Sequence, residues 1–192
     1  MLVMIFEGPN ALVEVESSAV KELCRSGGGE EADTSVVDHW FAERNHVPTF
    51  RSFLERGVIV DTIEVASTWS RVSSLYERVT SALREVPEIL VATAHSSHSY
   101  RSGTNLYFSF AARPEDPERL EEVYRECWDR VMRAADSCGA GIAHHHGIGR
   151  VRRDYLEREL GPEGVDTLRR VKSALDPQAL LNPGNLLPDR DT

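Results

Sequence analysis

The chain has 192 residues, a net charge of −9, a pI near 5.3 and 41% hydrophobic residues. That balance suits a folded protein with its own core and argues against disorder. It also argues against nonspecific nucleic-acid binding, which needs basic surface to neutralise phosphates.

In chain order, Leu2 to Phe6 is a short apolar run closed by Glu7-Gly8-Pro9, which predicts a buried strand and a turn. A strand starting almost at Met1 is expected of a chain cut from a longer protein or of a split gene. Asn10 to Arg25 carries helical spacing and is stopped by Gly27-Gly28-Gly29. A short helix is expected from Val36 to Arg44, broken by His46-Val47-Pro48. The β-branched run Val58–Val65 predicts a strand. A helix from about Trp69 to Val86 follows, capped by Ser67-Thr68, with Val72, Leu75, Tyr76, Val79 and Leu83 on one face.

Ile89–Ala94 and Asn105–Ala111 read as an antiparallel hairpin with a wide polar connection, His95 to Thr104. Asp116-Pro117 opens a long helix to about Ser137, ended by Gly139-Ala140-Gly141. Two more helices are expected, Val151–Leu160 and Pro162–Leu175, and then a turn-rich tail. The order predicts an α+β fold, a mostly antiparallel sheet with helices packed on it. The organisation expected is one domain over residues 1–175 and a tail over 176–192.

The three cysteines, Cys24, Cys127 and Cys138, lack CxxC spacing and read as free thiols. With no apolar run near the roughly 20 residues of a membrane helix and no signal peptide, a cytoplasmic location is expected, with peripheral membrane attachment the alternative.

Two segments carry the chemistry. The first is His144-His145-His146, followed by Gly147-Ile148-Gly149. Imidazoles titrate near working pH and donate, accept or ligate. In strand geometry His144 and His146 share a face and His145 points the other way. The second is His95-Ser96-Ser97-His98-Ser99-Tyr100-Arg101-Ser102-Gly103, a loop rich in titratable and hydroxyl groups. Tyr100 in it is a candidate general acid or base. Arg51, between apolar residues, is either an ion-pair member or an anion clamp. His95, His98 and the triple histidine supply enough nitrogen for a metal. HxxH here sits in a loop without the glutamate of HExxH, so no metal is expected.

Together these segments resemble the C-terminal (cap) domain of FAD-linked oxidases of the vanillyl-alcohol-oxidase type, closest to the alkyldihydroxyacetonephosphate synthase group. The residues that carry the resemblance are Val60-Asp61-Thr62-Ile63-Glu64 with Thr68-Trp69-Ser70, His98 through Phe108, His144 through Gly149, Leu175-Asp176-Pro177 and Leu181-Asn182-Pro183-Gly184. The resemblance implies a broad antiparallel sheet with ferredoxin-like elements, lying over a flavin ring. It implies that Tyr100 handles a substrate proton and that His144, His145 and His146 line the catalytic pocket. His146 and Asn182 would face the cofactor, and Arg51 would hold a substrate phosphate.

The implied cofactor is FAD, held mainly by a flavin-binding domain absent from this chain, so the chain alone is expected to be inactive. The implied partners are that flavin domain, a small or lipid-like substrate and a second copy of the chain. The implied activity is alkyl-for-acyl exchange in ether-lipid metabolism. One alternative is oxidation of a small 2-hydroxy acid or alcohol. Relatives of that type carry a metal-binding HxGDGNLH and a later EHGIG, where this chain has Tyr107 and His145 at the second histidine and the glutamate. The other alternative is a flavin-free binding module with the cap fold.

Overall fold

The computed structural model describes residues 3–46 and 49–188. They form two compact units that divide between Thr49 and Phe50. The first holds α1 (Asn10–Ser26) and α2 (Ser35–Glu43). Neither helix buries a residue; Leu12, Val15, Leu23 and Trp40 remain exposed. The strand expected at the N-terminus is not formed by residues 3–6. A strand needs a partner ladder, and every ladder among the described residues lies in the second unit. Leu2, Val47 and Pro48 fall outside the described residues.

The second unit runs α3 (Arg51–Leu54), β1 (Ile59–Thr68), α4 (Val72–Arg84), β2 (Ile89–His95), β3 (Gly103–Ala112), α5 (Leu120–Ser137) and α6 (Leu156–Leu175). Single 3-10 turns lead into α4, α5 and α6. The sheet is antiparallel with order β1-β3-β2. The β1-α4-β2-β3-α5 run is ferredoxin-like, and the sheet is narrower than the resemblance implied, because the described residues before β1 contribute helices and coil. Within α6 the two helices expected after Val151 are parted at Gly161, whose backbone is not helical (φ 71°, ψ 166°), just before Pro162; the first begins at Leu156, later than expected.

Strand alternation decides which residues meet. On one face Ile63, Val65, Leu106, Phe108 and Phe110 are buried against Leu75, Val79 and Leu83 of α4 and Val123, Val131 and Met132 of α5. Burying each such aliphatic side chain contributes about 1.5–3 kcal/mol. Asp61 shares this face, where it accepts from the Tyr124 hydroxyl (2.9 Å) and the Trp128 indole (3.0 Å). The opposite face carries Glu64 across from Tyr107 and Ala66 across from Asn105. Gly103, at the end of β3, packs so tightly on Ser67 that a Cβ there would collide with the Ser67 carbonyl.

The chain after α5 docks on the free edge of β1. Ala66 and Gly141 exchange backbone hydrogen bonds of 3.1 and 2.8 Å, and the Glu159 carboxylate accepts from the Ile142 amide at 2.7 Å. This anchor lays His144-His145-His146 over the second sheet face. The tail returns to the same loop: Leu186 donates to the Gly149 carbonyl at 3.1 Å, and Arg150 and Arg153 bond the carbonyls of Pro183 and Gly184. No helix among the described residues is long and apolar enough to cross a membrane.

Candidate functional site

Residues 144–146 bend instead of extending, so His145 does not point away from its neighbours as strand geometry would require. The cause is Glu64. Its carboxylate, fully buried, accepts from the backbone amides of His144 and His145, both at 3.3 Å through Oε2. Curling the backbone around one carboxylate brings all three imidazoles with it. The Nδ1 atoms of His144, His145 and His146 lie 3.3, 2.9 and 3.7 Å from the Glu64 oxygens. Gly147 and Gly149, at φ 73° and 58°, let the chain leave the cluster through left-handed turns.

Asn105 completes the surroundings of the carboxylate. Its Oδ1 accepts the His98 amide at 3.0 Å, which directs Nδ2 to Glu64 Oε1 at 2.8 Å. Burial alone would raise the Glu64 pKa. The Asn105 amide, the two backbone N–H groups and the field of His146 outweigh it and hold the acid down at about 2. Glu64 is therefore an ionised carboxylate at neutral pH. Behind it the buried Arg152 donates to the carbonyls of Ile142 (3.0 Å), Gly147 (3.4 Å) and Glu64 itself (3.4 Å), tying the histidine loop to β1.

The phenol bonded to this cluster is Tyr107, whose Oη lies 2.9 Å from His145 Nε2. Its ring stacks on His95 with centroids 4.8 Å apart. Tyr100 is brought to the edge of the cluster, its ring centroid 5.4 Å from that of His144. It is half exposed, and its hydroxyl has no hydrogen-bond partner among the described residues. Its backbone is pinned by Gly103 and by the Trp69 indole. The donor atoms of His98, His144 and His145 lie within 4.8 Å of one another, as do those of Glu64, His145 and His146, a spacing compatible with a shared cation.

Arg51 does not join them. Its side chain is 85% exposed, and its guanidinium pairs with Glu55 at 2.9 Å. It sits on α3, which meets β1 and leads into that strand's Ile59 end, five residues or about 17 Å of strand from Glu64. Asn182 lies in the tail at φ 49°, where its carbonyl accepts the Asn185 amide.

The imidazole side chains are 25%, 43% and 38% exposed, so the cluster forms an open face and not an enclosed cavity. A cavity of about 520 Å³ lies elsewhere, lined by Tyr124, Trp128, Arg150 and Tyr155 among others and by none of these imidazoles. Sequence reasoning missed Glu64, Asn105 and Arg152 as members of the site. One signal was there for Glu64: a charged residue inside a β-branched strand is rarely buried unless paired.

The chain is similar to the uncharacterized FAD-linked oxidoreductase YgcU of Escherichia coli K12, with 28% identity over 98% of this chain and 41% of that protein. It is also similar to alkyldihydroxyacetonephosphate synthase of Trypanosoma brucei brucei, with 28% identity over 98% of this chain and 31% of the synthase. Glycolate oxidase subunit GlcD of Bacillus subtilis matches at 23% identity, over 94% of this chain and 37% of that subunit. The chain thus spans less than half of the length of these relatives. A solved alkyldihydroxyacetonephosphate synthase shares the fold, with a TM-score of 0.52 at 20% identity over 93% of this chain and 29% of that one. Residues 1–186 match the family model described as FAD linked oxidases, C-terminal domain. With that match spanning nearly its full length, the chain belongs to the C-terminal domain family of the FAD linked oxidases.

Proposed function

We propose that this chain is the substrate-side half of a flavoenzyme of the alkyldihydroxyacetonephosphate synthase type, in which Tyr107 and His145 move a substrate proton. The observation that carries the reading is the 2.9 Å contact from Tyr107 Oη to His145 Nε2. A phenol hydrogen-bonded to an imidazole is a proton donor coupled to a base. Hydroxy-acid dehydrogenases of this superfamily are expected to place metal ligands at these two positions; here the two side chains bond each other instead.

The residues fit one part of a flavin. Tyr107 and the imidazoles on the open face suit a planar ring laid over them. Among the described residues no glycine-rich loop leads from a strand into a helix to cradle phosphates. The glycines 27–29 follow α1 and serve as its stop. The flavin's phosphates therefore call for a separate domain, present as another part of the same protein or as another chain. Bound at this face, the flavin supplies the electron-accepting ring, and this chain orients the substrate, excludes water and holds the proton between Tyr107 and His145. His146 and Asn182 are proposed to face it.

The test pairs this chain with a flavin-binding domain of the same family. Exchange of a labelled fatty alcohol for the acyl group of an acylated glycerone phosphate, without hydrogen peroxide or dye reduction, is the expected result. Oxidation of a small 2-hydroxy acid with dye reduction and no exchange would replace this reading with that of a hydroxy-acid oxidase; glycolate, the substrate in the GlcD relative's name, is the first to try.

A further inference from the structure

The Glu64 carboxylate lies on the opposite side of the His145 ring from Tyr107. Glu64 Oε1 is 2.9 Å from His145 Nδ1, and Tyr107 Oη is 2.9 Å from His145 Nε2. We propose that Glu64 is the positioning residue of this site: it fixes His145 as the Nδ1–H tautomer, leaving the Nε2 lone pair to accept the Tyr107 proton.

The reasoning is a proton count. An ionised carboxylate cannot donate, and its negative charge repels a ring-nitrogen lone pair, so the nitrogen nearest to it carries the proton; the 2.9 Å contact is an ion-pair distance, and the hydrogen-bond partner aligned with His145 Nδ1 is His144 Nδ1. His144 Nδ1 competes for the same place, 2.9 Å from His145 Nδ1 and 3.3 Å from Glu64 Oε1. Two nitrogens that close cannot both direct N–H bonds into the gap. The shorter carboxylate contact assigns the proton to His145 and leaves His144 Nδ1 as an acceptor, its own proton on Nε2. Asn105 and the two backbone amides hold the carboxylate still, so the assignment does not depend on the exposed side of the cluster.

When the Tyr107 O–H bond breaks, an Nε2–H bond forms on His145. The products are a phenolate and an imidazolium, and the imidazolium is then stabilised by the carboxylate, which stays ionised throughout. This is the division of labour of a carboxylate–imidazole–hydroxyl triad, with the phenol in the hydroxyl position. Its consequence for turnover rests on the reading of Tyr107 and His145 above; the tautomer itself is a property of this chain.

The experiment is ring ¹⁵N NMR of the full chain labelled in histidine, with the His145 signals assigned by their loss in His145→Gln. The expected result is a protonated-type shift at Nδ1 and an unprotonated-type shift at Nε2, unchanged in Tyr107→Phe and lost in Glu64→Gln. A proton on Nε2 in the unsubstituted chain overturns the proposal. So does a change of tautomer in Tyr107→Phe, since the phenol would then be setting it. So does a Glu64→Gln chain that folds, by circular dichroism, with the tautomer intact. The Tyr107→Phe arm decides the matter even where Glu64→Gln does not fold. Should the tautomer be as expected while Tyr107→Phe turns over at the full rate in the paired enzyme, the positioning by Glu64 stands and the catalytic reading of Tyr107 falls.

Discussion

Arg152 lies over Trp128, its guanidinium carbon 4.9 Å from the ring centroid, and from that platform reaches three carbonyls on two segments. A planar fork stacked on indole and donating in several directions is specific to arginine. Arg152→Lys should keep the charge and lose the geometry, lowering the unfolding free energy by about 1–3 kcal/mol in urea denaturation. An unchanged transition midpoint would show that the loop does not rely on the clamp.

Tyr107 and Tyr100 separate cleanly by substitution. In the paired enzyme, Tyr107→Phe should lower kcat by roughly 10²- to 10⁴-fold, the range of general acid–base catalysis. Tyr100→Phe removes a hydroxyl with no partner among the described residues and should cost far less. Equal losses in the two variants would move the proton role back towards the loop from His95 to Thr104.

The depressed acidity of Glu64 links stability to pH. Its folded pKa, about 2, lies below the ordinary 4.5, so its contribution is fully present above about pH 4.5. It is lost as pH falls through that value towards 2. The difference corresponds to roughly 3 kcal/mol. Urea midpoints measured from pH 6 to pH 2 should fall less steeply for Glu64→Gln than for the unsubstituted chain; parallel curves would show that the carboxylate ionises as freely in the native state as in the unfolded one.

At Gly103 the requirement is space. Gly103→Ala places a methyl group into the Ser67 carbonyl where β3 crosses the end of β1. Either the strands part or the turn reshapes, at a cost of about 1–3 kcal/mol for overpacking. The same displacement should disturb the Tyr100 amide, which donates to the Gly103 carbonyl. Thermal melts that match the unsubstituted chain would show that the contact relaxes freely.

Most of the secondary structure was legible in the chain, because periodicity and breakers are local properties. The helix over Leu120–Ser137, the hairpin of Ile89–His95 with Gly103–Ala112, and the stop after Ser26 all follow from spacing, Pro and Gly. The N-terminal strand was misread because a short apolar run does not reveal whether a partner strand exists to pair with it. The break between the two helices after Val151 follows from Gly161 and Pro162 in the same local way.

The site divides in the same way. Sequence by itself determined that imidazoles are concentrated at residues 144–146 and that a polar loop with a tyrosine precedes them, since composition needs no folding. Only the tertiary structure decided that Glu64, 80 residues before His144, sits beneath all three rings and that Tyr107 is the phenol bonded to His145. Strand register and the docking of Gly141 on Ala66 bring those groups together, and both are long-range pairings set by the sheet as a whole.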